Sequence, residues 1–307
     1  MRHFVAVSDL TADELRGLID RAAAMKAARV AGRHELLLPG RCMAMLFEKP
    51  SLRTRVSFEA AMEQLGGSCI FVNANEVGLG TREGIPDFAR VMSQYVDVLV
   101  ARVFEHRTVV ELATHATVPV INGLSDLAHP CQALADLQTV QELFGAVAGR
   151  TIAFIGDGNN VARSLAVGAH ILGARFILAA PRGYEFSAGF LKRLQAKAGG
   201  GSAELAADPA DAVASADVVY TDVWTSMGQE AEIERRRLAF APFQVNAELL
   251  ARAPAHAKVM HCLPAHRGEE VSADVIDGPR SVVIQQAANR LHAQKALLVW
   301  LMAERNR

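Results

Sequence analysis

Two kinds of hydrophobic pattern alternate along the chain. Short apolar runs closed by turn residues recur at 42–47, 96–100, 118–121, 151–155, 176–180, 217–220 and 258–261. A short run that is apolar on both faces reads as a strand covered on both sides, as in a parallel sheet. Between these runs lie longer stretches with apolar residues every three or four positions, at 10–30, 51–65, 130–144, 161–172 and 187–198. That spacing lines one face of a helix. Strands alternating with helices predict an α/β fold, since parallel neighbours need a crossover between them. The polar break at Gly145–Arg150 predicts two domains, 1–145 and 146–286, each a parallel β-sheet flanked by helices. The last stretch, 287–307, reads as a helix able to lie on either domain.

Composition narrows the picture. A chain of 307 residues is long for one core and suits two domains of roughly 150 residues each. Lysine plus arginine number 32 against 33 acids, so no global field draws the chain to nucleic acid or an anionic membrane. Any anion it binds is held by a few local arginines. The four cysteines show no CxxC spacing, which argues against a disulfide framework. The Met-Arg-His-Phe start lacks the apolar region of a secretory signal, and no apolar run reaches membrane length. The expectation is a cytoplasmic protein with reduced thiols.

Ligands of open parallel sheets bind beyond the carboxyl ends of the strands, so the polar residues after each run are the candidates. After 42–47, Ser51 is placed to cap a helix whose first turn holds Arg53, Thr54 and Arg55. Cations there oppose the helix dipole, and a bound anion would resolve the conflict by sharing N–H groups and guanidiniums. Solvated surface arginines are the plainer alternative. Arg102 follows 96–100, and after 118–121 come His129-Pro-Cys-Gln132. Pro130 suits a first helical position, which brings His129 and Gln132 to one helix end as neutral donors for a carbonyl or phosphate oxygen. A purely structural cap is equally compatible with that pattern.

Gly156-Asp-Gly-Asn-Asn-Val161 resembles a dinucleotide fingerprint but lacks the last small residue, and the next strand ends without an acid for a ribose. Asn159 and Asn160 suit a small polar substrate instead. Asp222, after 217–220, is placed to hold an ammonium or to cap its own turn. His261, Cys262 and His266 suggest zinc, but adjacent residues on a strand point to opposite faces and no metal spacing motif is present. No metal is expected. Arg290 opens the last helical stretch and is positioned to reach an anion.

Taken together, Ser51-Leu-Arg-Thr-Arg55, His129-Pro-Cys-Gln132, Asp222 with Ser226-Met-Gly228, and His261-Cys-Leu-Pro264 resemble the aspartate/ornithine carbamoyltransferase family. The last two segments resemble its ornithine-specific branch. The likeness runs in order over nearly the whole chain. It implies a first domain binding carbamoyl phosphate, a second binding the amino-acid acceptor, and a terminal helix, 287–307, returning to the first. By motif position it implies phosphate contacts from Ser51, the Leu52 backbone, Arg53 and Thr54. Arg102, His129, Gln132 and Arg290 would bind phosphate and carbamoyl oxygens, and Asn160, Asp222, Ser226 and Met227 would bind L-ornithine. Cys262 and Leu263 would line the point where the substrates meet, with Arg102, His129 and Cys262 as catalytic groups.

The resemblance further implies no cofactor and a homotrimer or multiple of trimers. With the implied phosphate site largely within one domain, carbamoyl phosphate is expected to bind first, and closing the two domains over paired substrates would expel water and align the attack. Two departures stand out: Leu52 replaces the family's usual threonine, and Gly78 stands where related enzymes carry a polar residue reaching a neighbouring subunit. The implied reaction gives L-citrulline and phosphate. Rival readings are a sister enzyme acting on putrescine or an N-acylornithine, a nicotinamide-dependent oxidoreductase, and a non-catalytic binding protein.

Overall fold

The computed structural model describes residues 1–225 and 230–303. Nine strands form two wholly parallel sheets among the described residues: β1 (Cys42–Phe47), β2 (Ser68–Asn73), β3 (Val98–Arg102), β4 (Val120–Leu124), β5 (Thr151–Ile155), β6 (Arg175–Ala179), β7 (Ser202–Ala206), β8 (Val218–Thr221) and β9 (Lys258–His261). The chain divides into two compact units. One comprises Met1–Gln138 with the chain from Asn289 onward, and the other Thr139–Ala288. The divisions fall inside the helices Pro130–Phe144 and Val283–Ala303.

In the first unit the strand order is β2-β1-β3-β4. Ala44 and Leu46 of β1 and Leu99 and Ala101 of β3 meet Phe88, Ala89, Val109 and Leu112 from the helices Ile85–Tyr95 and His106–His115. The amino-terminal segment covers the β4 edge: Phe4 N donates to Val120 O at 2.8 Å and Asn122 N to Phe4 O at 2.8 Å. Edge pairing of this kind removes a template for unwanted strand addition. Phe47 pairs with Arg102, so the segment leaving β1 and the last residue of β3 emerge at one level.

In the second unit the order is β7-β6-β5-β8-β9. Ile155 pairs with Thr221 and Thr221 with His261, so three central strands end together. The Thr221 hydroxyl donates to Ile155 O at 2.7 Å and locks that level. The turns that follow, at 156–160, 222–225 and 262–264, therefore gather at one sheet end, where ligands of such sheets bind.

The hydrophobic pattern misses β2 and β7, both edge strands. Glu204 interrupts β7, and β2 has no fully buried residue and merges in sequence with the helix before it. Neither has the two covered faces that produce a continuous apolar run. β3 runs two residues and β4 three residues further than the pattern predicts, so Arg102 ends its strand instead of following it. No helix among the described residues is long and apolar enough to cross a membrane.

Candidate active site

The first cluster forms at the carboxyl end of the first sheet. Ser51, in extended backbone, caps the helix Leu52–Gln64, and its Oγ accepts from Thr54 N at 3.3 Å. The N–H groups of Leu52 and Arg53 keep no intrahelical acceptor, as at any helix start. The Leu52 side chain is 76% exposed, so its replacement of a hydroxyl residue removes a polar group without disturbing packing. Arg53 is exposed beside it.

Thr54 is buried, and its hydroxyl is the meeting point of two guanidiniums: Arg102 Nη1 donates to it from 3.4 Å and Arg290 Nη2 from 3.0 Å. With both lone pairs occupied, the Thr54 O–H is left to donate outward. Arg290, on the helix Val283–Ala303, also donates through Nη1 to Gln132 Oε1. Gln132 Nε2 in turn donates to Asp136 Oδ1 at 2.8 Å. Gln132 therefore braces Arg290 and keeps a second Nε2 hydrogen able to donate. Arg55 turns away from the helix start, pairing with Glu59 at 2.9 Å and lying 4.0 Å over the Phe71 ring. One arginine of the pair, not both, remains for an anion.

His129 is buried at the start of the helix Pro130–Phe144. Burial, followed by the charges of Arg290, Arg102 and Lys49, holds its pKa well below the usual imidazole value. Lys49 is a site residue that the sequence reading passed over. It is itself nearly buried, lies 4.7 Å over the Phe104 ring, and is pushed down by burial and then by Arg102. Its position between β1 and the Ser51 cap was the available signal.

The second cluster forms where β5, β8 and β9 end. Asp222 is buried and accepts from Asn159 Nδ2 at 2.8 Å, Val223 N at 2.8 Å and Cys262 Sγ at 3.0 Å. Asn160 is half-buried one residue into the helix Asn160–Leu172. Asn159 caps that helix, its Oδ1 accepting from Val161 N and Ala162 N at 3.0 Å each. Those N–H groups are consequently not offered to a pyrophosphate.

The glycines of the fingerprint-like turn have structural causes. Gly156 has φ +143°, and a Cβ on Gly158 would stand 3.0 Å from Tyr184 O. Asp157 between them pairs with the buried Arg236, and its carboxyl is raised by burial against the opposing pull of that guanidinium. An acid directed into the turn is a poor neighbour for a phosphate. Ser226 and Met227 lie outside the described residues.

Strand alternation does not keep His261 and Cys262 apart in the fold: β9 ends at His261, and ligand atoms of Asp222, His261 and Cys262 lie within 4.8 Å of one another just before the chain turns at Leu263, with φ +56°. The hydrogen bonds disfavour a metal more effectively. His261 Nδ1 accepts from Leu263 N at 2.8 Å and Nε2 meets Glu270 Oε1 at 3.1 Å, which engages both ring nitrogens.

Comparison with known proteins agrees with this division of labour. Residues 2–142 match the family description "Aspartate/ornithine carbamoyltransferase, carbamoyl-P binding domain", and residues 148–301 match its "Asp/Orn binding domain". The chain is 52% identical over 303 residues to the "Ornithine carbamoyltransferase, anabolic" of Pyrococcus furiosus, covering 98% of this chain and 96% of that one. It is 51% identical over 304 residues to the ornithine carbamoyltransferase of Symbiobacterium thermophilum, covering 98% of both. Among solved structures, the Pyrococcus furiosus ornithine carbamoyltransferase superposes with a TM-score of 0.94 at 52% identity, over 98% of this chain and 97% of that one. The Thermus thermophilus enzyme superposes with a TM-score of 0.88 at 44% identity, over 97% and 98%. Matches of this extent across both units place the chain in the aspartate/ornithine carbamoyltransferase family.

Proposed function

We propose that the chain transfers the carbamoyl group of carbamoyl phosphate to the δ-amine of L-ornithine, giving L-citrulline and phosphate, in the arginine-forming direction. The observation that carries this reading is the convergence of Arg102 and Arg290 on the Thr54 hydroxyl beside His129. Two buried guanidiniums at a helix start suit a phosphate dianion, and the neutral donors beside them suit a carbonyl oxygen.

In this reading Ser51, the Leu52 backbone, Arg53, Thr54 and Arg290 hold the phosphate, and Gln132 both braces Arg290 and binds carbamoyl phosphate. Arg102, His129 and the Thr54 hydroxyl face the carbamoyl oxygen. The δ-amine lone pair attacks the carbamoyl carbon, negative charge builds on that oxygen, and the C–O bond to phosphate then breaks with its electron pair leaving on phosphate. The nitrogen sheds a proton as citrulline forms, and the departing phosphate, the strong base that the reaction itself releases, takes it up to leave as the hydrogen phosphate dianion. His129, with its pKa depressed, is neutral at working pH and donates without competing for that proton. Asp222, with Asn160, Ser226 and Met227, holds the amino acid. Cys262 and Leu263 lie on the turn that meets the reacting carbon, Cys262 orienting the amine through its contact with Asp222.

The chain is further proposed to work in the cytoplasm, in keeping with its four free thiols, and as a homotrimer or multiple of trimers. Exposed Leu52, Val56, Ile70 and Phe71 at the β2 side of the first unit support burial against another copy.

Side-by-side assays of carbamoyl phosphate with L-ornithine, putrescine and N-acetylornithine are expected to give ureido product from ornithine alone. Product from another amine would overturn the acceptor assignment, and none from any of them would favour a binding protein. Steady-state kinetics should separate the two clusters. Arg102→Leu is expected to lower kcat about 10²–10³-fold, as loss of a preorganised oxyanion donor does. Asp222→Asn is expected chiefly to raise the ornithine KM, by about tenfold or more. Identical effects of both variants on both substrates would contradict the division.

The depressed His129 pKa also has a stability consequence. As pH falls below about 6.5 the unfolded chain binds a proton on this ring before the native protein does, so stability is lost on acidification. Urea midpoints measured between pH 8 and pH 5.5 should fall less steeply in His129→Asn than in the wild type, the difference reaching at most about 1.4 kcal/mol per pH unit. Light scattering should give a mass of three times the 33.0 kDa chain or a multiple of that. A stable 33.0 kDa species would remove the trimer.

A further inference from the structure

His261 and Glu270 have no substrate contact assigned to them above, yet both are buried at the base of the turn that carries Cys262 and Leu263. The hydrogen bonds around them run in one direction. The Leu263 N–H can only donate, so His261 Nδ1, 2.8 Å away, presents its lone pair. The ring proton then sits on Nε2 and is donated to Glu270 Oε1 at 3.1 Å. The same carboxylate oxygen accepts from His266 N at 2.5 Å, across the far side of the turn. From behind, His261 N donates to Gln286 Oε1 at 2.9 Å, and Gln286 Nε2 donates to the buried Tyr220 hydroxyl at 3.0 Å.

These bonds hold a backbone that would otherwise relax. Leu263 has φ +56°, the only left-handed non-glycine among the described residues, in a region that leucine rarely enters. Such outliers persist where their surroundings over-determine them. Cys262 stands one residue before this turn, and its Sγ lies 3.0 Å from Asp222 Oδ1.

We infer that His261 and Glu270 are positioning residues for the transfer reaction. Glu270 fixes the His261 tautomer, and His261 pins Leu263 so that the Cys262–Leu263 turn is preformed before substrate arrives. Glu270 serves as a hydrogen-bond acceptor and not as a proton acceptor for the reaction. The inference rests on the proposed carbamoyl transfer to ornithine.

The test is citrulline formation by Glu270→Gln, Glu270→Ala, His261→Asn and His261→Gln, with KM for each substrate, the pH profile of kcat and the thermal midpoint. Glutamine keeps an acceptor oxygen for both N–H groups. Glu270→Gln should therefore stay within about threefold of wild-type kcat with an unshifted pH profile, whereas Glu270→Ala should lose about tenfold or more in kcat with little change in either KM. Asparagine at 261 keeps an oxygen near the Nδ1 position, so His261→Asn should retain about threefold or more of the kcat left to His261→Gln.

Collapse of a folded Glu270→Gln to the alanine level would mean that the carboxylate charge is used, and would overturn the positioning role. A folded Glu270→Ala with unchanged kcat would overturn it equally. Should the alanine variant not fold, the order of the two His261 variants decides, and equal activity in them refutes the inference. Absence of citrulline from the wild type in the same assay would instead remove the proposed function itself.

Discussion

The first unit is organised around a repulsion. Burial holds the His129 pKa down, the charges of Arg290, Arg102 and Lys49 add to that, and bringing like charges into one desolvated region is costly. Their arrangement is held by neutral groups: the Thr54 hydroxyl accepts from both guanidiniums, and Gln132 braces Arg290 from the side. Neutral acceptors orient cations without cancelling them. Two guanidiniums oriented in this way suit a site whose leaving group is phosphate.

The second unit uses the opposite device. Its central carboxylate, Asp222, is surrounded by donors that orient it: Asn159, the Val223 amide and the Cys262 thiol. Asn159 is simultaneously the cap of the following helix, so the helix start and the acid are fixed by a single side chain. An oriented acid of this kind discriminates in favour of an ammonium-bearing ligand. A positive cluster in one unit and an acid-centred one in the other match a reaction that joins an anionic donor to a cationic acceptor.

Several residues that look functional in sequence turn out to have other work. Arg55 shares the first turn of Leu52–Gln64 with Arg53, but stacks on Phe71 and pairs with Glu59. Gly156 and Gly158 imitate a nucleotide-binding turn, yet answer to backbone geometry and close approach. Conversely, Lys49 and Glu270 have little to mark them in sequence. Each gains significance from burial beside groups that are 53 positions away in one case, Arg102, and nine in the other, His261.

The sequence by itself determined the alternation of buried strands and amphipathic helices, because a strand covered on both faces must be apolar on both. It also marked the polar residues at the strand ends, because a parallel sheet delivers them there. The edge strands β2 and β7 escaped it, since a half-exposed strand need not be apolar throughout. Which polar residues touch was decided only by tertiary structure. The pairing of Phe47 with Arg102 brings Thr54 and Arg102 together, and the last helix carries Arg290 back across 236 positions of chain to the same hydroxyl. The parallel pairing of Thr221 with His261 likewise brings Cys262 to Asp222, 40 positions away in sequence. Hydrophobic periodicity is a local property of the chain, whereas register, reach and hydrogen-bond direction exist only once distant segments are packed together.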